Sequence, residues 1–98
     1  MDVDFADDDL RRLYTDPDFK GGYSTDIISS FRRKMQLLVN AQDERDLRAW
    51  NSLHYKQLKG NRKHQWTIRL NGAWRLVLEQ RVTDGVTTLV VVAIENNH

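Results

Sequence analysis

Polar and apolar residues alternate at the start of the chain, where aspartates flank Val3 and Phe5. This two-residue period is typical of a half-buried β-strand and predicts one over residues 1–6. Three aspartates at positions 7–9 can then begin a short helix, because carboxylates accept hydrogen bonds from the free N–H groups of a first helical turn. Pro17 ends that helix, since proline disfavours the helical conformation in the preceding residue.

The longest helical pattern follows a second group of capping residues, Ser24, Thr25 and Asp26. Six apolar residues then recur at the spacing of one helix face: Ile27, Ile28, Phe31, Met35, Leu38 and Val39. We expect this apolar face to cover a β-sheet. Residues 44–50 have a weaker helical pattern that the predicted element order omits, and residues 51–65 are predicted to form a basic loop.

The apolar period changes to two after residue 65. Apolar residues alternate with polar ones over 66–70 and again over 74–78, which predicts two strands. Asn71-Gly72 between them predicts a two-residue hairpin with a type I′ turn, because both residues tolerate a positive φ. A second turn is predicted at Thr83-Asp84-Gly85, followed by a strand over residues 86–94 that is apolar enough to be central and covered on both faces.

These elements predict an α+β fold with the order β-α-α-β-β-β. The sheet is expected to be rich in antiparallel pairs, with the two N-terminal helices packed on one face. The chain of 98 residues suits a single domain over residues 1–98. It has no cysteine and no apolar run long enough to cross a bilayer, so we expect a cytoplasmic protein without membrane contact.

The net charge of +1 hides a strong asymmetry along the chain. Residues 1–26 carry eight aspartates against three basic residues, a net charge of −5, whereas residues 45–75 carry eight basic residues against one aspartate, a net charge of +7. The asymmetry fits an anionic partner that docks on one side. It fits equally well two solvated surfaces whose charges neutralise each other.

Strand alternation indicates where the positive charges lie. If the apolar residues of 66–78 face the helices, Arg69 and Arg75 project from the opposite, open face. The loop beside that face adds further cations and a histidine: Lys56, Lys59, Arg62, Lys63 and His64. Each arginine alone could be an ordinary cross-strand charge, but together with the loop they form a surface suited to a phosphodiester backbone.

Other chemistry is not indicated by the sequence. His54, His64 and His98 are scattered without the spacing of metal ligands, and neither a phosphate-binding glycine loop nor a nucleophilic serine motif is present. We therefore predict no metal and no cofactor. RNA cleavage needs only a base for the ribose 2′-OH, cations for the pentacoordinate phosphate and an acid for the departing oxygen, which clustered Lys, Arg and His can supply.

Two stretches resemble the HigB toxins of bacterial toxin–antitoxin systems. They are Leu58-Lys59-Gly60-Asn61-Arg62 and Trp66-Thr67-Ile68-Arg69-Leu70-Asn71-Gly72-Ala73-Trp74-Arg75-Leu76. The resemblance implies a RelE-like fold and cleavage of mRNA in the decoding site of the 30S ribosomal subunit. It also implies neutralisation by a HigA-type antitoxin that contains a helix-turn-helix. The toxin would then contact operator DNA only indirectly, through that antitoxin.

The resemblance also implies roles for individual residues. Lys59 would activate the nucleophile or stabilise the phosphate, Arg75 would bind the scissile phosphate, and His98 would be a general acid or base. The chain departs from the family pattern at a histidine position now held by Lys56, with His54 displaced by two residues, so both are candidate helpers. It also departs near the C-terminus, where the usual Asp-Tyr pair is Asn96-Asn97 and Glu95 is shifted by one.

Two rival functions remain on the same predicted fold. One is a gyrase-inhibiting toxin of the ParE kind, against which the basic loop counts. The other is a non-catalytic RNA-binding module that uses the same basic face, which Asn97 in place of tyrosine makes more credible because it removes a side chain that could stack on a base.

Overall fold

The computed structural model describes residues 1–96 as three helices, two short 3₁₀ turns and one sheet of five strands. The helices are α1 (Asp8–Thr15), α2 (Thr25–Asn40) and α3 (Glu44–Ala49), and the 3₁₀ turns are Asn51–Leu53 and Gly60–Arg62. The strands are β1 (Asp2–Phe5), β2 (Lys56–Gln57), β3 (Gln65–Asn71), β4 (Trp74–Thr83) and β5 (Val86–Asn96). His98, a predicted site residue, lies outside the described residues.

The strands lie in the order β1-β5-β4-β3-β2. β1 runs parallel to β5 and the other neighbours are antiparallel, so the sheet is mixed. The α+β class is confirmed, but the predicted element order is wrong because it omits α3 and β2. Helix α3 lies where residues 44–50 have their weaker helical pattern, and it has only six residues, positioned by a cap from Asp43 and by the fully buried Leu47; β2 has only two residues and produces no pattern.

The first hairpin differs from the predicted turn chemistry, whereas the second lies at the predicted turn. Asn71 is the last residue of β3, and the loop is Gly72 and Ala73, of which only Gly72 has a positive φ, of 55°. A positive φ at the first loop residue alone is the pattern of a type II′ turn, so the predicted type I′ turn at Asn71-Gly72 is wrong. Asp84 and Gly85 both have positive φ, 52° and 79°, which is the type I′ pattern.

Helix α2 covers one face of the sheet, as its apolar stripe predicts. Ser24 caps the helix by accepting a hydrogen bond from the Ile27 amide. Phe31 and Met35, on the apolar side of the helix, are fully buried. The buried hydroxyl of Ser30 donates to the carbonyl oxygen of Leu70 at 2.6 Å, which fixes the helix against β3.

The prediction that strand β5 is covered on both faces is wrong. It lies second in the sheet between β1 and β4, and only Leu89 and Val91 are fully buried within it. One face packs on the helices and the other is partly exposed.

None of the helices within residues 1–96 has the length and the apolar composition of a membrane-spanning segment.

Candidate nucleic-acid interface

The sheet has an outer face, which we define as the face turned away from the helices. Ile68 and Leu70 of β3 and Leu76 and Leu78 of β4 belong to the core under the helices. Because side chains alternate along a strand, the residues between them point outward. The outer face therefore carries Thr67, Arg69, Arg75, Val77 and Glu79, together with their cross-strand neighbours Lys56 and Glu95.

Arg75 lies at the centre of a charged row on the outer face. Arg69 is directly opposite it on β3, and Glu95 is directly opposite it on β5. The Nε atom of Arg75 is buried and has no hydrogen-bond partner among residues 1–96. A buried donor without a partner is costly, and an anionic oxygen would satisfy it well.

The next row combines Lys56, Thr67 and Val77. Thr67 and Val77 are fully buried although no helix covers this face, and the Thr67 hydroxyl has no partner in the described chain. Lys56, across from Thr67, is exposed. The exposed Lys56 is therefore the group of this row that a substrate phosphate can reach, since the Thr67 hydroxyl is buried.

Arg62 explains how part of the outer face becomes buried. Its Nε donates to Gln65 Oε1 at 2.8 Å, and its Nη2 donates to both Glu95 oxygens at 3.1 and 2.9 Å. Since β4 lies between the strands that carry Gln65 and Glu95, the guanidinium crosses over β4. The outer face is thus less open than predicted, and Glu95 neutralises one of the predicted RNA-binding cations.

The other predicted loop residues lie around this bridge. His64 Nε2 is 3.8 Å from Glu79, which also accepts a hydrogen bond from Gln65. Lys63 is exposed, and its carbonyl accepts a hydrogen bond from Gln57. Lys59 is exposed and directly precedes the second 3₁₀ turn. Its side chain forms no hydrogen bond or ion pair within residues 1–96, so it is available to a ligand.

His54 is separate from the charged row. It ends the first 3₁₀ turn in the left-handed conformation, with φ of 50°, and its side chain is exposed. The neighbouring Tyr55 bonds to Glu44 and Gln80, and burial, followed by the charge of Glu44, raises the Tyr55 pKa to about 12. No contact between His54 and the outer-face cations is present in residues 1–96.

Sequence reasoning did not assign site roles to Glu95, Thr67 or Lys34. Lys34 on α2 donates to the Ser52 carbonyl at 3.0 Å. Burial lowers its pKa, and the positive charges of Arg33 and Arg69 lower it further, so cationic charge extends around the sheet edge from β3 to α2. The run of basic residues at 32–34 could have indicated a role for Lys34, whereas nothing in the sequence indicated a role for the Thr67 hydroxyl.

Comparison with known proteins places the chain among the RelE-like toxins. Its fold is similar to that of a YoeB/ParE toxin from Agrobacterium tumefaciens, with a TM-score of 0.58 and 14% identity over the whole of both chains. A family model described as "RelE-like toxin of type II toxin-antitoxin system HigB" matches residues 3–91.

The assignment becomes narrower at the level of sequence. The chain is 33% identical over 86 residues to Toxin HigB-1 of Vibrio cholerae serotype O1 (strain ATCC 39315 / El Tor Inaba N16961), covering 88% of each protein. The chain belongs to the HigB-like family of type II toxins. Membership implies an antitoxin as its partner, and the predicted resemblance to HigB toxins is confirmed.

Proposed function

We propose that this toxin is a ribosome-dependent endoribonuclease that cleaves translated mRNA in the cytoplasm. The observation that supports the proposal most directly is Arg75, a partly exposed cation on the outer face whose Nε has no hydrogen-bond partner among residues 1–96. We further propose a HigA-type antitoxin with a helix-turn-helix as its partner, with operator DNA contacted through that antitoxin. Toxins of the HigB and RelE families are generally endoribonucleases, which agrees with the proposal.

The proposed reaction is attack of a ribose 2′-oxygen on the adjacent phosphorus. A base removes the 2′-OH proton as the new P–O bond forms, and an acid protonates the 5′-oxygen as its bond to phosphorus breaks. Arg75 stabilises the charge that develops on the phosphate, and Lys59 acts on the nucleophile or on the same phosphate. Lys56, His54 and His98 are the candidates for proton transfer.

RNA binding on this surface relies on cations around Arg75. Arg69 shares its row, and Lys63 and His64 lie on the loop beside the outer face. Arg62 contributes mainly by its position, since Glu95 already neutralises its charge. Removal of Arg75 is expected to lower the cleavage rate by about 10²–10³, the usual effect of losing one group that stabilises a developing negative charge.

A short pulse of expression followed by mapping of transcript 5′ ends tests the proposal. The wild-type chain should stop growth and cut within codons of translated messages, and cutting should disappear when translation is blocked. Arg75→Ala and Lys59→Ala should lose both effects. Arg45→Ala is the matched control, because it removes the same charge from an exposed side chain on α3 whose ion-pair partner within residues 1–96 is Asp43.

Three results would contradict the proposal in different ways. A DNA damage response without new 5′ ends would indicate a gyrase inhibitor. Salt-dependent RNA binding without cleavage would indicate a binding module. Cleavage that persists in Arg75→Ala at the wild-type rate would remove Arg75 from the site.

A further inference from the structure

Strand β5 extends beyond its parallel neighbour. The pairing of β1 with β5 ends at Phe5 and Val91, and one further backbone bond joins the Ala6 amide to the Val91 carbonyl at 2.9 Å. Val92 is an unpaired residue at a register shift, and residues 93–96 then pair with β4 alone within the part of the chain that is described. An unpaired strand edge is a template on which another chain can add as a strand.

A groove of about 250 Å³ lies beside this free edge. It is formed by β5, helix α1 and the turn that follows Pro17. Its lining includes the apolar or aromatic side chains Leu10, Leu13, Phe19, Tyr23, Val92 and Ile94. The groove can therefore take apolar side chains from a strand that adds to the edge.

The rim of the groove is acidic. Asp7 and Asp9 both line it, and the Asp9 carboxylate forms no ion pair or hydrogen bond within residues 1–96, whereas Asp8 is paired with Arg11. Burial raises the pKa of the Tyr23 hydroxyl, and the carboxylates of Asp7 and Asp9 raise it further, so their negative charge reaches into the groove. A cationic side chain complements this rim.

We propose that the free edge of β5 and the adjacent groove bind an extended segment of the antitoxin that carries both apolar and basic side chains. The proposal rests on family membership, which implies a protein partner, and not on the RNA-cleavage chemistry. Such a segment would pass Glu95, which lies in the same cross-strand row as Arg75. Binding there would hinder the approach of RNA to the charged row, which gives a route to neutralisation.

The test uses the full chain and a defined probe, the acetylated and amidated hexapeptide Lys-Val-Leu-Lys-Val-Leu. Amide exchange followed by NMR should show protection of residues 92–96 when the peptide binds. The counterpart with glutamate in place of lysine should give no protection. Asp9→Lys should weaken binding of the lysine peptide about tenfold, since one attraction becomes a repulsion.

Asp2→Lys is the matched control, because it makes the same change in charge at an exposed aspartate at the far end of β1. It should bind the peptide as the wild type does. Protection at the edge of β3 instead of residues 92–96, or equal affinity of Asp9→Lys and the wild type, would overturn the proposal. Arg75→Ala should bind the peptide normally, which separates this test from that of the ribonuclease.

Discussion

Replacement of Glu95 by glutamine should strengthen the binding of single-stranded RNA. In the native protein Glu95 holds the Nη2 group of Arg62 through both carboxylate oxygens and neutralises its charge. Glu95→Gln removes that charge and frees the Arg62 guanidinium on the outer face. Because phosphate binding releases condensed counterions, an additional free cation should appear as a steeper dependence of affinity on salt.

The magnitude follows from the exposure of the pair. The two side chains are 43% and 41% exposed, so their interaction contributes only about 0.2–1 kcal/mol to stability and the variant should stay folded. One additional phosphate contact changes the slope of log affinity against log salt by about 0.7 for single strands. Between 50 and 200 mM salt, Glu95→Gln should therefore lose about 2.5-fold more affinity than the wild type.

Fluorescence anisotropy of a labelled RNA oligonucleotide over a salt series measures this slope. Arg62→Ala should match the wild-type slope, and the double variant should return to it, since no freed cation remains. Asp43→Asn, which releases Arg45 on distant α3, is the matched control. A slope lowered by about 0.7 in Arg62→Ala alone would refute the reasoning, because it would show that Arg62 leaves Glu95 for a phosphate in the native complex.

Three further predictions concern stability. Ser30→Ala should lower the free energy of unfolding, measured in urea, by about 1–3 kcal/mol, because the carbonyl of Leu70 loses its buried donor. Ser29 is an exposed neighbour, so Ser29→Ala should change the free energy of unfolding little. The Tyr55 pKa is raised from 10.0 to about 12, so protonated Tyr55 contributes fully to the free energy of unfolding below pH 10, and this contribution is lost as the pH rises to 12. Between pH 10 and 12 the free energy of unfolding should therefore fall less in Tyr55→Phe than in the wild type. Thr67→Val should melt at the same or a higher temperature, since the replaced hydroxyl is buried without a partner, and a clearly lower melting temperature would show that the hydroxyl is bonded in solution.

The sequence predicts the parts of the fold that have a regular apolar period. The stripe from Ile27 to Leu38 lies in the core as expected, and the alternation around Arg69 and Arg75 places both in one row. Helix α3 is short and gave only the weak helical pattern of residues 44–50, and strand β2, with two residues, gave none. The turn after β3 was misassigned because Asn-Gly favours type I′, whereas the pairing of Asn71 with Trp74 moves the loop by one residue.

The candidate site was predictable only where it follows strand alternation. The Arg62–Glu95 pair joins residues 33 positions apart across β4, and no local pattern indicates such a contact. Thr67 is buried although strand alternation places it on the outer face, so its burial could not be read from the strand alone. The roles given to Lys59, His54 and His98 remain predictions.

The strand order decides between the two interpretations of the charge asymmetry. The acidic N-terminal block forms β1 and α1 at one edge of the sheet, and most of the basic block lies on β2, β3 and the loop between them at the other. Three strand spacings separate β1 from β3, about 14 Å, which exceeds the screening length of about 8 Å at physiological salt. The two blocks therefore neutralise each other little across the exposed sheet. Each edge keeps its own sign, so we expect the proposed RNA to approach the β3 side and the proposed basic segment to approach the β1 side, with the two meeting at Glu95.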